Sequence, residues 1–392
     1  MYKKFISTFF IFAFLIFCGQ LIVNYYFDPY GFSGKLKHID SKAVKIFKPY
    51  DVIKKDPSTI IIGNSRNYYS FSPLDTKNDN TYNLSFPGIG IAQIRSLYEH
   101  ILKAELDIEE LIITLDSFCD PLTIRSISNS LDDRVLISDD NPQIRTIVNK
   151  VLFYLSLDAS YTSYRNIRKP KDNYMSVDGR AVKFNEYNYL NKGPGNALIE
   201  RETRNILRRV NRPRSIKASS YSDYKKQCET SNLDFIFNSA IENNIKVSFF
   251  LNPVNARYWE ISANFDGLQS YVHYPKKLIQ EKLNSVPESH QHLFEGFDFL
   301  RLNAFTLEPL SYSDLEENTY WYESSHYNLA FGNILLANIF NRDFERTQLV
   351  ADLKYINLDN DFLQQKSLLQ EWRDNNPDLK GEILNSIENI VN

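Results

Sequence analysis

The stretch Ile60-Ile61-Ile62-Gly63-Asn64-Ser65-Arg66 constrains the fold of this 392-residue chain most. Three β-branched residues that run into a glycine predict a buried strand, over about residues 59–62, that ends in a tight turn. Ser65 follows this turn directly. Ligands of an open α/β sheet bind at the carboxyl ends of its strands, so the pattern indicates a candidate site at this serine.

The segments that follow alternate between strand and helix. Strands are predicted near residues 82–84 and 111–115, with an amphipathic helix over about 91–104 between them. The alternation resumes with a helix near 233–243, a strand at 246–251, a helix near 275–283 and a strand near 297–300. This order predicts an α/β fold in which helical crossovers connect parallel strands.

The N-terminus carries an apolar run over residues 5–23, preceded by Lys3 and Lys4. A helix of about 20 residues spans a bilayer core, so the run is long enough to cross a membrane. Because lysines precede it and no small-residue cleavage motif follows, we predict a retained signal anchor. The N-terminus would then be cytoplasmic and the main domain extracytoplasmic, at the cell surface or in the periplasm. A cleaved signal peptide is the alternative.

These patterns divide the chain into four predicted parts: an anchor at 1–27, a linker at 28–55, an α/β domain at 56–345 and a helical tail at 346–392. The pattern loosens over about 120–231, which we interpret as a lid-like insertion into the domain. A basic stretch from Arg201 to Arg214 lies within it. We interpret this stretch as a solvated helix face rather than a site for anionic polymer or lipid.

Composition and spacing argue against several classes of protein. A net charge of −3 is not typical of a general nucleic-acid binder. Neither the histidine spacing nor the glycine pattern indicates a metal, a Walker-type loop or a dinucleotide, so we expect no metal and no cofactor. Cys119 and Cys228 could form one disulfide bond, but two unpaired thiols are the preferred interpretation.

A second motif, Glu323-Ser324-Ser325-His326, precedes a predicted helix over 328–340. A serine hydroxyl needs a base to become a good nucleophile, and a neutral imidazole can act as that base. We therefore predict a triad of Ser65, His326 and Glu323, in which the carboxylate orients the ring. The simpler alternatives are that Ser65 caps a helix, that Glu323 does the same, and that His326 is an ordinary half-buried residue.

Oxyanion donors for this triad are expected from the backbone. The Ser65 N–H and a glycine N–H of the loop that contains Gly88 and Gly90 are the candidates. A plain loop is the alternative for the glycines.

Together these motifs resemble the SGNH (GDSL-type) hydrolase superfamily. The predicted anchor and four short motifs are similar to those of an exported group of this superfamily. That group is distantly akin to the alginate O-acetyltransferases and the D-alanyl transfer protein of teichoic acid synthesis. The four motifs are Asp28-Pro29-Tyr30-Gly31, Gly63-Asn64-Ser65-Arg66, Leu115-Asp116-Ser117-Phe118 and Glu323-Ser324-Ser325-His326-Tyr327. The resemblance covers about residues 56–120 and 230–345. It implies a three-layer α/β/α, flavodoxin-like parallel sheet.

The chain departs from the family pattern in two places. The third family block supplies an asparagine to the oxyanion hole, whereas this chain has Asp116 in that region. A carboxylate would oppose a developing oxyanion, so we hypothesise that Asp116 forms a salt bridge with Arg66 as structural support. The family also has aspartate where this chain has Glu323.

The function expected from these motifs is extracytoplasmic acyl-ester chemistry on a cell-envelope or exported glycan, either O-acyl transfer or ester hydrolysis. Transfer is preferred because the resembling envelope proteins transfer acyl groups. The implied partners are a glycan or other acyl acceptor and a membrane acyl-donor protein. The alternative is a catalytically inactive glycan-binding or assembly protein of a membrane complex, which the altered third block favours. A plain structural protein would leave both motifs unexplained.

Overall fold

The structure is a computed structural model that describes most of the chain. The described residues are 2–32, 41–76, 80–116, 119, 135–137, 142–168, 175–181, 199–204, 206–207, 218–228, 230–265, 267–311, 318–341, 349–378 and 381–383. Their architecture is α/β with a mostly parallel six-stranded sheet, which confirms the predicted fold class at this level. About half of the predicted insertion lies outside the described residues.

The sheet has the strand order β2-β1-β3-β4-β5-β8. The strands are β1 (Thr59–Ile62), β2 (Thr81–Asn83), β3 (Glu110–Thr114), β4 (Lys246–Leu251), β5 (Phe294–Asp298), β6 (Trp321–Glu323), β7 (His326–Tyr327) and β8 (Ala351–Asp352). The first five strands pair in parallel, whereas β8 is antiparallel to β5. Strands β6 and β7 form a separate antiparallel pair.

Helices connect these strands and flank them. They are α1 (Tyr2–Phe27), α2 (Ser41–Lys55), α3 (Ser65–Ser70), α4 (Ile91–Lys103), α5 (Pro142–Tyr154), α6 (Leu157–Arg168), α7 (Tyr221–Gln227), α8 (Ser231–Asn243), α9 (Ala256–Phe265), α10 (Tyr274–Ser285), α11 (Leu329–Asn341) and α12 (Leu358–Asn375). Residues 199–204 are also helical. Helix α1 is long and apolar enough to cross a membrane, a test that an N-terminal signal sequence also passes.

The central strands are buried on both faces. On one face, Ile61, Ile112 and Phe250 pack with residues of α11 in one hydrophobic cluster. Their sequence neighbours Ile60 and Ile113 belong to a second cluster, which includes residues of α4, α8 and α10. Because successive side chains of a strand point to opposite faces, helices cover both faces of the sheet. This double burial explains the uninterrupted apolar runs of β1 and β3.

Helix α2 occupies part of the segment that was predicted as a linker. Its apolar residues Ala43, Val44, Phe47 and Val52 are buried in the core. Lys48 is fully buried and donates to the Ser85 carbonyl oxygen over 2.7 Å. Residues 41–55 are therefore part of the folded domain.

The segment after residue 345 is joined to the domain more closely than a separable tail. Strand β8 extends the sheet, and Leu369 and Trp372 of α12 are buried. The fully buried Asp298 lies 2.7 Å from Lys276 Nζ, which also lies 3.3 Å from Asp361 of α12. Such a buried ionic cluster needs all its members, so α12 is held in place.

The described parts of the predicted insertion also contact the α/β unit. Cys119 and Cys228 form a disulfide bond, so the preferred interpretation of two unpaired thiols is wrong. Residues 175–181 reach the edge strand β2, where Asn83 N–H donates to the Asp178 carbonyl oxygen over 2.8 Å. The role of the insertion as a lid stays a prediction.

Candidate active site

Ser65 is the first residue of helix α3, directly beyond the carboxyl end of β1. The side chain of Asn64 caps this helix by accepting a hydrogen bond from Arg66 N–H over 3.0 Å. Asn64 therefore fills the capping role that was considered for Ser65. The serine hydroxyl is free of that task and turns toward His326 instead.

Gly63 allows the turn between β1 and α3 to lie close to the polar floor of the site. A Cβ atom at this position would lie 2.2 Å from Asn67 Oδ1 and 3.1 Å from Thr114 Oγ1. The Thr114 hydroxyl donates to the same Asn67 oxygen over 2.7 Å. A larger residue would displace this buried pair, because side-chain atoms cannot approach so closely.

Glu323 and His326 lie on the hairpin formed by β6 and β7, directly before the helix that was predicted over 328–340. Helix α11 begins three residues later, at Leu329. The hairpin is fixed by Asn255 N–H, which donates to the Ser324 carbonyl oxygen over 3.0 Å, and by Ser70 Oγ, which donates to the Tyr327 carbonyl oxygen over 2.6 Å. The second bond connects the hairpin directly to the helix that carries Ser65.

The structure brings the three predicted triad residues together. Ser65 Oγ lies 2.7 Å from His326 Nε2, within hydrogen-bond reach. The other ring nitrogen, Nδ1, is hydrogen-bonded to Glu323 Oε1. Glu323 also accepts from Ser325 N–H over 2.8 Å and from Ser325 Oγ over 2.7 Å. With Nδ1 donating to the carboxylate, Nε2 is left to accept the serine proton.

Burial and charge set the protonation states of the pair. Burial and, after it, the positive charge of the nearby Arg201 guanidinium lower the pKa of His326 to about 4, although Glu323 acts in the opposite direction. Burial alone would raise the pKa of Glu323, but its contacts with His326, Arg201 and Ser325 N–H outweigh burial and lower it to about 2. At neutral pH the imidazole is therefore an unprotonated base and the carboxylate is ionised.

Arg201 contacts both Glu323 and His326, which the sequence did not predict. Its Nε lies 3.1 Å from Glu323 Oε1, and its Nη2 lies 3.4 Å from His326 Nε2. The adjacent Glu202 is buried and accepts from Arg257 Nε of α9 over 2.6 Å. The interpretation of this stretch as a solvated helix face is therefore wrong for Arg201 and Glu202. Arg208, Arg209, Arg212 and Arg214 lie outside the described residues.

Asp116 is held in a network on the other side of Ser65. The salt bridge hypothesised from the sequence is present, with Arg66 Nη1 2.6 Å from Asp116 Oδ2. The same oxygen accepts from Asn64 Nδ2 over 2.7 Å and from Asn252 Nδ2 over 2.5 Å. Arg66 also donates from Nε to the Ser325 carbonyl oxygen over 2.6 Å, so one guanidinium joins β3, α3 and the hairpin.

The two glycines predicted as oxyanion donors differ in their surroundings. Gly90 N–H donates to Gln93 Oε1 over 2.9 Å, as part of the N-terminal cap of α4. This donor is already engaged. Gly88 is exposed and has a φ of 76°, a conformation that favours glycine. The Ser65 N–H lies in the first turn of α3, where an intrahelical acceptor is lacking.

Asn252 and Arg201 are among the side chains of the site that were not predicted from the sequence. Asn252 follows β4 and binds Asp116, and a polar residue directly after a buried strand was a signal that could have identified it. Arg201 had no comparable signal, because it is brought to the site by docking of a segment 125 residues away from His326.

Comparison of the chain with protein-family models, curated proteins and solved structures finds no significant match. Within the part of the chain that the structure describes, no group of three or more His, Cys, Asp or Glu side chains could hold a metal ion. The site therefore has to be interpreted from its own geometry.

Proposed function

We propose that this protein carries out acyl-ester chemistry with Ser65 as the nucleophile. The observation that carries the proposal is the hydrogen-bonded series from Ser65 through His326 to Glu323. This series has the roles of a hydrolase triad, a nucleophile beside a base that a third group orients. The strand order 2-1-3-4-5 of the parallel strands supports the flavodoxin-like, SGNH-type fold that the motifs resemble.

In the first half-reaction, Ser65 Oγ attacks the carbonyl carbon of an ester donor while His326 Nε2 accepts the hydroxyl proton. Glu323 stabilises the imidazolium that forms. When the tetrahedral intermediate collapses, the ester C–O bond breaks and the imidazolium gives its proton to the departing alcohol. The acyl group then remains on Ser65 as an ester.

In the second half-reaction, His326 takes a proton from the acceptor as the acceptor attacks the acyl-serine. The bond between the acyl carbon and Ser65 Oγ then breaks, and the imidazolium returns its proton to Ser65 Oγ. Attack by water gives ester hydrolysis, whereas attack by a glycan hydroxyl gives O-acyl transfer. We favour transfer to a cell-envelope or exported glycan, with a membrane acyl-donor protein as the source. This preference rests on the resemblance to envelope acyltransferases.

The negative charge of the tetrahedral intermediate needs stabilisation. Arg201 lies beside His326 Nε2, the atom that binds the serine hydroxyl, so its positive charge adjoins the reacting centre. Together with the Ser65 N–H it replaces the asparagine that the third family block would supply. Asp116 is neutralised by Arg66 and bound by two asparagines, so it does not oppose the oxyanion.

We also propose that the α/β domain lies outside the cytoplasm and that α1 anchors it. The length and apolar character of α1 support an anchor. The disulfide bond between Cys119 and Cys228 supports an oxidising compartment, because such bonds are rare in the cytosol.

The second candidate function is glycan binding without turnover. The engagement of Gly90 N–H with Gln93 favours this candidate, since it removes one expected oxyanion donor. The ordered contact between Ser65 and His326 opposes it, because binding alone does not require a serine beside an oriented base.

Turnover of ester donors tests the proposed function. The protein should hydrolyse an aryl acetate and, with an oligosaccharide present, form an acetylated product detected by mass spectrometry. Ser65→Ala should lose roughly 10³-fold or more of either activity. Ser96→Ala, which removes a hydroxyl bonded only within helix α4, serves as the matched control and should keep full activity. Equal activity of Ser65→Ala and the wild type would refute the mechanism.

A further inference from the structure

Helices α5 and α6 form a hairpin that binds the C-terminal part of α1. Two amide side chains of α1 make this contact. Gln20 Nε2 donates to the Leu155 carbonyl oxygen over 2.9 Å and lies 3.0 Å from Ser160 Oγ. Asn24 is fully buried and donates to the Tyr154 carbonyl oxygen over 2.6 Å.

These bonds explain why an otherwise apolar helix contains two amides. The last carbonyl groups of a helix lack intrahelical partners, and those of α5 accept from Gln20 and Asn24. Ser163 Oγ of α6 donates in turn to Asn24 Oδ1 over 2.9 Å. Since a polar side chain in lipid is unfavourable without a partner, the hairpin satisfies the polar positions of α1.

The hairpin also presents an apolar surface that the rest of the described protein leaves open. We call it the hairpin face, and it consists of Ile147, Val148, Val151, Leu152, Leu157, Tyr161 and Tyr164, all of which are exposed. The four residues of the hairpin face that belong to α5 are Ile147, Val148, Val151 and Leu152, and they lie on one side of that helix. Phe153 and Tyr154 of the same helix are buried in the protein. One acidic residue, Asp158, is exposed beside Leu157.

The position of the hairpin along α1 identifies what covers this face. The turn between α5 and α6 is bonded to Gln20, which lies seven residues before the end of α1 at Phe27. An α-helix rises 1.5 Å per residue, so the turn contacts α1 at a point about 10 Å before its C-terminal end, toward the middle of the helix. A membrane that contains α1 therefore reaches the hairpin turn.

We propose that the hairpin face inserts into the lipid bilayer at the leaflet where α1 emerges, to the depth of the glycerol and upper acyl-chain region. The inference rests on the proposed role of α1 as an anchor. Tyr161 and Tyr164 suit this boundary, where amphipathic rings are enriched. Asp158 keeps the contact at the interface rather than in the hydrocarbon centre. The α/β domain is thereby held in a fixed orientation against the membrane that would carry an acyl-donor protein.

Site-specific labelling of the full chain in phospholipid nanodiscs tests this proposal. In a Cys18→Ser background, which leaves the Cys119–Cys228 disulfide intact, a single cysteine is introduced at Leu157, at Tyr355 or at Phe12 and labelled with a nitrobenzoxadiazole dye. Tyr355 is the matched control for Leu157, because the two side chains have nearly the same exposed fraction, 83% and 84%. Only Leu157 belongs to the hairpin face. Phe12 reports on α1 itself.

We expect aqueous dithionite to reduce the dye at position 157 roughly tenfold more slowly than the dye at position 355. Lipids spin-labelled near the glycerol should quench the dye at 157 and leave the dye at 355 unaffected. If the dye at position 12 is protected while the dye at position 157 is reduced freely, the proposal for the hairpin face is wrong, but the proposal that α1 is an anchor is retained. Protection at 157 without lipid quenching would mean that protein covers the face, and would also overturn it. Free reduction at 12 would remove the anchor and the proposal together.

Discussion

Burial and the charged side chains of Arg201 and Glu323 have the largest effects on the pKa of His326. Arg201 lies on the Nε2 side of the ring, while Glu323 binds Nδ1. The cation discourages protonation of the ring, and the carboxylate holds it in one tautomer. One half-buried guanidinium can thus keep the base unprotonated and also stabilise an oxyanion beside Ser65.

The pH dependence of serine reactivity follows from this arrangement. Because burial and Arg201 lower the pKa of His326 to about 4, the base is unprotonated at any pH well above that value. The labelling rate of Ser65 by a fluorophosphonate should therefore be constant from neutral pH to about pH 5 and fall as the pH decreases through 4. A fall centred near the ordinary histidine value of 6.5 would contradict the assigned environment.

Arg201→Gln should change this profile in a definite direction. Removing the cation raises the pKa of His326, so the acidic limb moves to higher pH. The plateau rate should also decrease, by roughly 100-fold, because the oxyanion loses its positive neighbour. Arg204→Gln is the matched control, since Arg204 pairs with Glu200 at the surface of the same helical segment. If the acidic limb of Arg201→Gln is not shifted, the contact between Arg201 and His326 does not lower the pKa of His326 in solution.

At the scale of elements, the site depends on three short structures that contact one another. Helix α3 carries Ser65, the β6–β7 hairpin carries Glu323 and His326, and α11 follows the hairpin and packs against α3. Gly332 of α11 makes this last contact, because a Cβ atom there would lie 1.9 Å from the Ser70 carbonyl oxygen. The spacing between nucleophile and base is therefore set partly by one glycine.

Gly332→Ala should separate α11 from α3 and disturb the contact between Ser65 and His326. We expect a loss of about 1–3 kcal/mol in the free energy of unfolding from overpacking. Fluorophosphonate labelling should slow by up to about 100-fold, because small displacements of reacting groups have large effects. Gly381→Ala is the control, since no atom lies within 4 Å of its added Cβ. Unchanged stability and labelling in Gly332→Ala would show that the contact is looser than described.

Strands β1, β3 and β4 could be predicted because each is a mainly apolar run next to turn residues. The strand at 59–62 and the strand at 246–251 have the predicted bounds. The β6–β7 hairpin could not be recognised, because strands of three and two residues carry no measurable alternation. Helix α2 was hidden by Pro49 and by Lys48, whose burial depends on Ser85 and on nearby aromatic rings. Arg201 required tertiary docking that no local pattern encodes.

At the scale of the whole molecule, long-range connections join segments that the sequence suggested were separate. The Cys119–Cys228 bond closes a segment of 109 residues. The buried cluster of Lys276, Asp298 and Asp361 holds α12 to the sheet. The amides of α1 bind the α5–α6 hairpin. The described parts of the chain therefore form a domain in which the candidate site, the described parts of the insertion and helix α1 are physically connected.

Removal of the disulfide should weaken this domain. In the chain-entropy model, closing a segment of this length contributes about 5 kcal/mol, and measured losses for native disulfides are typically about 2–5 kcal/mol. Replacing Cys119 and Cys228 by alanine should lower the free energy of unfolding by about 2–5 kcal/mol in urea titrations of the detergent-solubilised chain. Cys18→Ala is the matched control, because Cys18 is a free thiol in α1. Equal unfolding midpoints for the double variant and the control would contradict the structural role of the bond.

The central claim is that Ser65 is an activated nucleophile, and the most direct test is to identify the residue that a fluorophosphonate modifies. The wild-type protein should form a single covalent adduct, which peptide mass spectrometry should locate at Ser65. Ser65→Ala should form none, and His326→Ala should react roughly 10³-fold more slowly, with both variants folded by circular dichroism. A folded wild-type protein that forms no adduct, or an adduct that persists in Ser65→Ala, would contradict the account.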